Sequence, residues 1–241
     1  METCANKNPN TSYLLPQNAR GPNENIPDFL ARLPPSVASN DSVGPWIWVK
    51  NPHHRAHDTE TGDIAAFIAQ GTDLLRDYEN KASDLEVEHD RSGAKTRTAL
   101  TRKLNILRRE LVEWISALAH EKNVTCGKWM LFPTPDRVDD FWARVAGATV
   151  AGELGIEAKV ATGNEENAGR TRLLVVYTRD YGDTEDIKRV VEKLGDLGFV
   201  NGLRPIYYKT DAYTLLGIGS NNPYGLKASL YSSNDVLADK V

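Results

Sequence analysis

Cysteine is nearly absent from this chain of 241 residues, which carries only Cys4 and Cys126. That excludes a disulfide-stapled secreted scaffold and suits a reducing compartment. Long apolar runs are missing too. The longest strand-like one is Leu173–Tyr177, far short of the roughly 20 residues that cross a bilayer. The opening Met1-Glu2-Thr3-Cys4-Ala5-Asn6 has neither the charged nor the apolar region of a signal peptide, so a soluble cytoplasmic protein is expected, with the nucleus as the alternative. Nor is there an excess of positive charge. Lys and Arg number 29 against 33 Asp and Glu, a formal charge of −4. A generally basic nucleic-acid coat is thereby excluded, and any contact with RNA must come from a local patch. No reaction-defining motif stands anywhere in the chain.

What is present is an ordinary globular balance, 40% apolar and 26% charged. Six of the 12 prolines lie before residue 36. Proline lacks a donor and asparagine favours turns, so residues 1–43 read as a disordered tail, although Ile26, Phe29, Leu30 and Leu33 are spaced to dock one helical turn onto the protein's own core. Residues 44–236 read as a single domain and 237–241 as a second tail. Trp46–Lys50 reads as a first strand and Asp63–Lys81 as a helix, followed by a break over Ser83–Ser92 and a long helix over Ala94–Lys122. Lys128–Phe132 is a strand. Thr134-Pro135-Asp136 resembles a helix start, and Val138, Phe141, Trp142 and Val145 supply the buried stripe. Strands at Ile156–Thr162 and Arg172–Thr178, a helix over Asp183–Leu197 and strands at Arg204–Tyr208, Tyr213–Ile218 and Leu226–Tyr231 complete the order. Strands and helices mix without regular alternation, which predicts an α+β fold: a single curved, mainly antiparallel sheet with helices packed on one face.

Several strings resemble known families. Gly127-Lys128-Trp129-Met130-Leu131 followed by Val138-Asp139-Asp140-Phe141-Trp142 is similar to a strand and helix of eukaryotic translation initiation factor 4E, as is Trp46-Ile47-Trp48-Val49-Lys50-Asn51. A closer resemblance, over residues 44–236, is to the basophilic leukaemia-expressed protein family, carried by Ala148–Gly155, Pro205–Thr214 and Gly225–Ser233. It implies the factor-4E-like fold, and fold alone does not imply function. In that factor two loop tryptophans sandwich a methylated guanine and basic residues hold its phosphates. The loop Asn51–Asp63 offers no tryptophan for such a pair. Lys159, Arg170 and Arg172 stand in the stretch corresponding to the phosphate-binding residues.

Other clusters are weaker. His53-His54-Arg55-Ala56-His57 has no cysteine near it to complete a zinc site and reads as a surface loop. Cys126 has no neighbouring histidine and reads as a buried structural thiol. From Arg91 to Arg109 there are seven basic residues and no acidic one, immediately after seven acidic residues within Asp73–Asp90. A phosphate rail and a self-neutralised solvated face are both open readings. Lys209, Asp211 and Tyr213 alternate, so on one strand they share a face, and Lys227 on a hairpin partner would join them. They form a candidate ligand patch in which Lys meets phosphate and Tyr stacks on a base.

The sequence therefore predicts a non-catalytic binding protein that contacts a nucleotide or RNA on the concave sheet face. Lys159, Arg170, Arg172, Lys209, Asp211, Tyr213 and Lys227 are its candidate residues, with no catalytic residue, metal or cofactor. A protein-interaction module using the helical face and an enzyme of unknown reaction are the alternatives.

Overall fold

A computed structural model describes residues 17–54, 62–163, 169–200, 202 and 204–240. In chain order the elements are α1 (Ile26–Arg32), α2 (Asn40–Val43), β1 (Trp46–Lys50), α3 (Ile64–Ser92), α4 (Thr98–Glu121), β2 (Gly127–Leu131), α5 (Val138–Val150), β3 (Glu157–Ala161), β4 (Leu174–Thr178), α6 (Thr184–Asp196), β5 (Tyr207–Thr210), α7 (Asp211–Leu215), β6 (Tyr231–Ser232) and α8 (Ser233–Leu237). The described residues fall into two compact units. One comprises 62–125 and 211–228, and the other holds the rest.

The larger unit is the predicted α+β structure. Its six strands hydrogen-bond in the order β1-β3-β4-β2-β5-β6, every pair antiparallel, in a curved and unclosed sheet. Register places Ile47, Val49, Ala158, Val160, Leu174, Val176, Trp129 and Tyr208 on one face, and all are buried. The Trp129 indole N–H on this face donates to the Ile187 carbonyl of α6 at 3.2 Å. α5 lies in the same layer: Arg144 donates to the Leu197 carbonyl just past α6 at 2.6 Å, and Arg189 of α6 donates to the carbonyls of Glu153 and Leu154 just past α5. α6 ends where Gly198 takes φ +75°, a left-handed turn that glycine adopts at no steric cost.

The disorder expected over 1–43 does not extend to residues 17–43. Asn25 caps α1 by accepting the Asp28 N–H at 2.9 Å, and Pro27 sits in its first turn, where a missing donor costs nothing. Phe29 is fully buried edge-on against Trp142, with ring centroids 6.1 Å apart. One buried aromatic thus outweighs the turn-forming composition around it. Residues 1–16 lie outside the described residues. α5 begins at Val138, later than Thr134-Pro135 suggests, because residues 135–137 form a turn in which the Arg137 N–H meets the Thr134 carbonyl at 2.9 Å.

In the second unit α3 and α4 pair antiparallel. The break expected at Ser83–Ser92 is helix, and its acidic side chains meet bases at and just after the start of α4: Glu86 pairs with Arg97 at 3.4 Å and Glu88 with Lys103 at 3.1 Å. Gly93, at φ +66°, ends α3. Tyr78 of α3 and Arg108 of α4 both donate to the Tyr224 carbonyl, at 2.9 and 3.1 Å. Where strand was expected at Tyr213–Ile218, the chain turns into the short helix α7. Of the expected strand Leu226–Tyr231 only its last residue is paired, in β6.

Candidate functional site

Alternation along the strands sorts their charged residues completely. In an antiparallel sheet, directly opposed residues point to the same side. One continuous row therefore crosses five strands: Lys50, Glu157, Tyr177, Lys128 and Lys209. The neighbouring row runs Trp48, Lys159, Val175, Met130 and Tyr207, and Trp46 lies beyond Trp48 on the same side. These rows form the face opposite α5 and α6. Among the described strands every charged residue is here, four lysines and one glutamate, and none is on the helix-covered face.

The centre of this face is an aromatic cluster around a cation. Lys159 Nζ lies 4.2 Å from the Trp46 ring centroid, 4.4 Å from Trp48 and 5.5 Å from Tyr177. Lys128 Nζ approaches the same tyrosine ring at 5.4 Å. Trp48 and Tyr177 are nearly parallel, 13° apart, with centroids 6.3 Å from each other. Both rings are buried and Lys159 Nζ lies against each, so this pair is a packed floor rather than an open slot for a base. Ring faces are negative, so they hold an ammonium group in a desolvated setting at about 2 kcal/mol or more. Lys159, Lys128 and Glu157 are buried, while Lys50 is exposed and Lys209 half-buried. The geometry sets fixed charge and flat rings side by side, as recognition of anions that carry bases requires.

The residues read from the sequence divide between the two units. Lys159 and Lys209 fall on the face just described. Arg172 is buried before β4, its backbone N–H donating to the Pro133 carbonyl at 2.9 Å, and its guanidinium lies against Gly163, which has no Cβ to exclude it. Arg170 is exposed in the preceding loop. Asp211, Tyr213 and Lys227 belong to the other unit, and the expectation that Lys209, Asp211 and Tyr213 share one strand face is corrected. β5 stops at Thr210, and Asp211 and Tyr213 lie in α7, where residues two apart point about 200° from one another. Both are buried, and Lys227 is exposed in an irregular segment rather than on a hairpin strand. Lys50, Lys128, Glu157 and Tyr177 were not candidates from sequence. The signal that marks them is period-two alternation, as in Trp46-Ile47-Trp48-Val49-Lys50 and Glu157-Ala158-Lys159-Val160. Cys126 is half-buried rather than buried. Of the histidine run, His53 and His54 are described and residues 55–61 lie outside. Among the described residues no group of three or more His, Cys, Asp or Glu is placed to hold a metal ion, and no helix is long and apolar enough to cross a membrane.

The family model of basophilic leukemia-expressed protein Bles03 matches residues 2–217. The chain belongs to this family. The match contains both strands β1 to β5, four of which bear a lysine, and the helical pair α3–α4. It also contains two of the strings that carried the resemblance, Ala148–Gly155 and Pro205–Thr214, while Gly225–Ser233 lies beyond it. Within this family member the glycine closing the first string has a steric reason. A Cβ on Gly155 would overlap the Tyr177 carbonyl oxygen, which accepts the Ile156 N–H at 2.9 Å.

Proposed function

We propose that the chain is a non-catalytic binding protein whose lysine-bearing sheet face takes a nucleotide or a short stretch of RNA. One observation carries this reading: four lysines and one glutamate share the face with Trp46, Trp48 and Tyr177, and Lys159 lies within 4.2–5.5 Å of all three rings. Of these groups Lys50 and Lys209 reach solvent and supply point charges for phosphate, and the half-buried Trp46 and the exposed Tyr207 of the same face supply stacking surface for bases, while Trp48, Tyr177, Lys128 and Lys159 form the buried floor beneath them. The sequence resemblance to translation initiation factor 4E points the same way, since basic residues hold nucleotide phosphates in that factor. The site differs from a cap sandwich in that its near-parallel rings, Trp48 and Tyr177, stand on strands rather than loops.

Two measurements test the proposal. Fluorescein-labelled RNA of about 10 nucleotides, with and without a methylguanosine cap, is titrated with the chain at about 50 and 200 mM salt, and anisotropy is recorded. GMP is titrated in parallel against tryptophan fluorescence. Binding that weakens with salt, and falls at least about tenfold in Lys50→Glu/Lys209→Glu, is expected. Absence of binding to every probe at the lower salt would refute the reading.

A further inference from the structure

The second unit carries a charge feature that the sheet-face reading does not use. The seven basic residues of Arg91–Arg109 are not neutralised as a block by the acidic stretch before them. Arg97 and Lys103 pair with Glu86 and Glu88. Arg108 turns inward to the Tyr224 carbonyl and to Asn105. Among the described residues Arg102 and Arg109 have no ion-pair partner, and both are exposed. They stand seven residues apart on α4, so they occupy one stripe within about 20° and lie about 10.5 Å apart along the axis. Arg91 at the end of α3 and Lys95 between the helices are likewise exposed and have no ion-pair partner among the described residues, and on α4 itself the pairing leaves a two-arginine stripe on the solvent side.

The neighbours of these arginines indicate what the stripe fits. Arg97, already paired with Glu86, lines a shallow depression of about 670 Å³ together with Thr98, Thr101, Arg102, Asn105, Ile106 and Arg109. Three of the seven are neutral side chains that donate hydrogen bonds, the type that accompanies arginine on phosphate oxygens. Ile106 is the single apolar member, too little for the buried aromatic or aliphatic anchor of a protein interface. The first turn of α4 holds no acidic residue that would offset the positive charge at this end of the stripe. The axial spacing is close to the roughly 10 Å that three base steps rise along a nucleic-acid strand.

We infer that the Arg102–Arg109 stripe of α4 is a binding surface for the phosphodiester backbone of nucleic acid, independent of base sequence. It lies in a different unit from the lysine face and stands or falls separately.

The test uses the full chain with two labelled probes, oligo(U) RNA of about 12 nucleotides and a mixed-sequence duplex of about 12 base pairs. Arg102→Glu/Arg109→Glu is compared with the charge-matched Arg76→Glu/Arg137→Glu, whose arginines are exposed on other helical surfaces. The stripe variant is expected to weaken binding of at least one probe about tenfold or more and to reduce the salt slope by about 1–2, while the control changes affinity less than about threefold. GMP binding, which reads the sheet face, is expected to be the same in wild type and stripe variant. An equal loss in the control, no loss in the stripe variant, or absence of binding to both probes overturns the inference. So does polyglutamate competing as well as RNA at equal charge, which would assign the stripe to acidic protein.

Discussion

Replacing Gly127 by alanine tests whether the sheet is packed as described. Gly127 opens β2 between two strands, opposite Thr178 of β4 on one side and Thr210 of β5 on the other. Its missing side chain is where Tyr208 lies. An added Cβ would fall 2.5 Å from ring carbon Cε1, and nearer still to Cζ and the hydroxyl oxygen, against the roughly 3.5–4.0 Å of ordinary carbon contact. Paired strands on both sides prevent β2 from moving away. Tyr208 is fully buried, hydrogen-bonded to the Thr178 hydroxyl at 2.5 Å, and packed against Trp129 and Tyr231 with centroids 5.3 and 5.7 Å away. Displacing the ring therefore forfeits a buried hydrogen bond, about 1 kcal/mol, and disturbs two aromatic contacts of about 0.5–1.5 kcal/mol each. With strain, a loss of about 3 kcal/mol is expected, within the range for overpacking a core.

Urea unfolding followed by tryptophan fluorescence measures this loss, and differential scanning calorimetry should place Tm about 6–12 °C lower. Gly127→Ala/Tyr208→Leu removes the ring that the methyl strikes, so the double variant should be destabilised by less than the two single changes added together. A Gly127→Ala protein within about 0.5 kcal/mol of wild type, or strict additivity in the double variant, would show that Tyr208 does not lie over this glycine.

The opposite result is expected at Gly147. It lies inside α5 with nothing within 4 Å of an added Cβ, so Gly147→Ala should raise stability by about 0.5–1 kcal/mol in the same urea assay. Phe29→Ala should cost about 3–5 kcal/mol, because the ring is fully buried against Trp142; a loss under about 1 kcal/mol would mean that α1 is not part of the core. Acid should loosen the segment before α1. Arg32 donates twice to Glu24 at 2.7 Å, and this hydrogen bonding is the main reason the Glu24 carboxyl titrates below its ordinary range. A depressed carboxylate pKa contributes stability that is present above the unfolded value near 4.3 and lost as pH falls through the folded value. The pair is partly exposed, so the contribution is about 1 kcal/mol or less. Reduced amide protection of residues 17–25 below about pH 4, measured relative to the intrinsic exchange rate at each pH and absent in Glu24→Gln, would register it.

Much of the fold was legible because its signals are local. Period-two and period-3.6 patterns located β1 to β4, α4 and α6, and Gly198 marked the end of α6. The errors arose where a distant partner decides. Composition made residues 17–43 look unstructured, yet Phe29 is held by Trp142, more than 100 residues away. The acidic stretch before Gly93 resembled a break, and Arg97 and Lys103 supply its counter-charges from the start of α4. Alternation of Lys209, Asp211 and Tyr213 suggested a strand, but such spacing carries no face information once the backbone becomes helical at Asp211. The candidate site was half legible for a related reason. Lys159 and Lys209 could be named singly, whereas the two adjacent rows that put them on one face, Lys209 with Lys128, Tyr177 and Glu157 and Lys159 with Trp48, exist only once strand order and register are known.

The sorting of strand charges also explains why the overall charge of −4 is a poor guide to ligand sign. A lysine turned into the α5–α6 layer would lose its hydration without compensation, whereas on the other face the buried Lys159 and Lys128 lie against aromatic rings and Lys50 and Lys209 reach solvent. All four strand lysines therefore accumulate on one surface with Glu157 as the single strand acid beside them. At physiological salt, charges farther than about 8–10 Å are largely screened. The acids of α6, on the other side of the sheet, consequently enter the chain's sum while contributing little to the field at this face. The same reasoning applies to Arg102 and Arg109, whose nearest basic neighbours are partly neutralised while they are not. Two local excesses of positive charge can thus persist on an acidic protein, and each should reveal itself as anion binding that weakens as salt is raised.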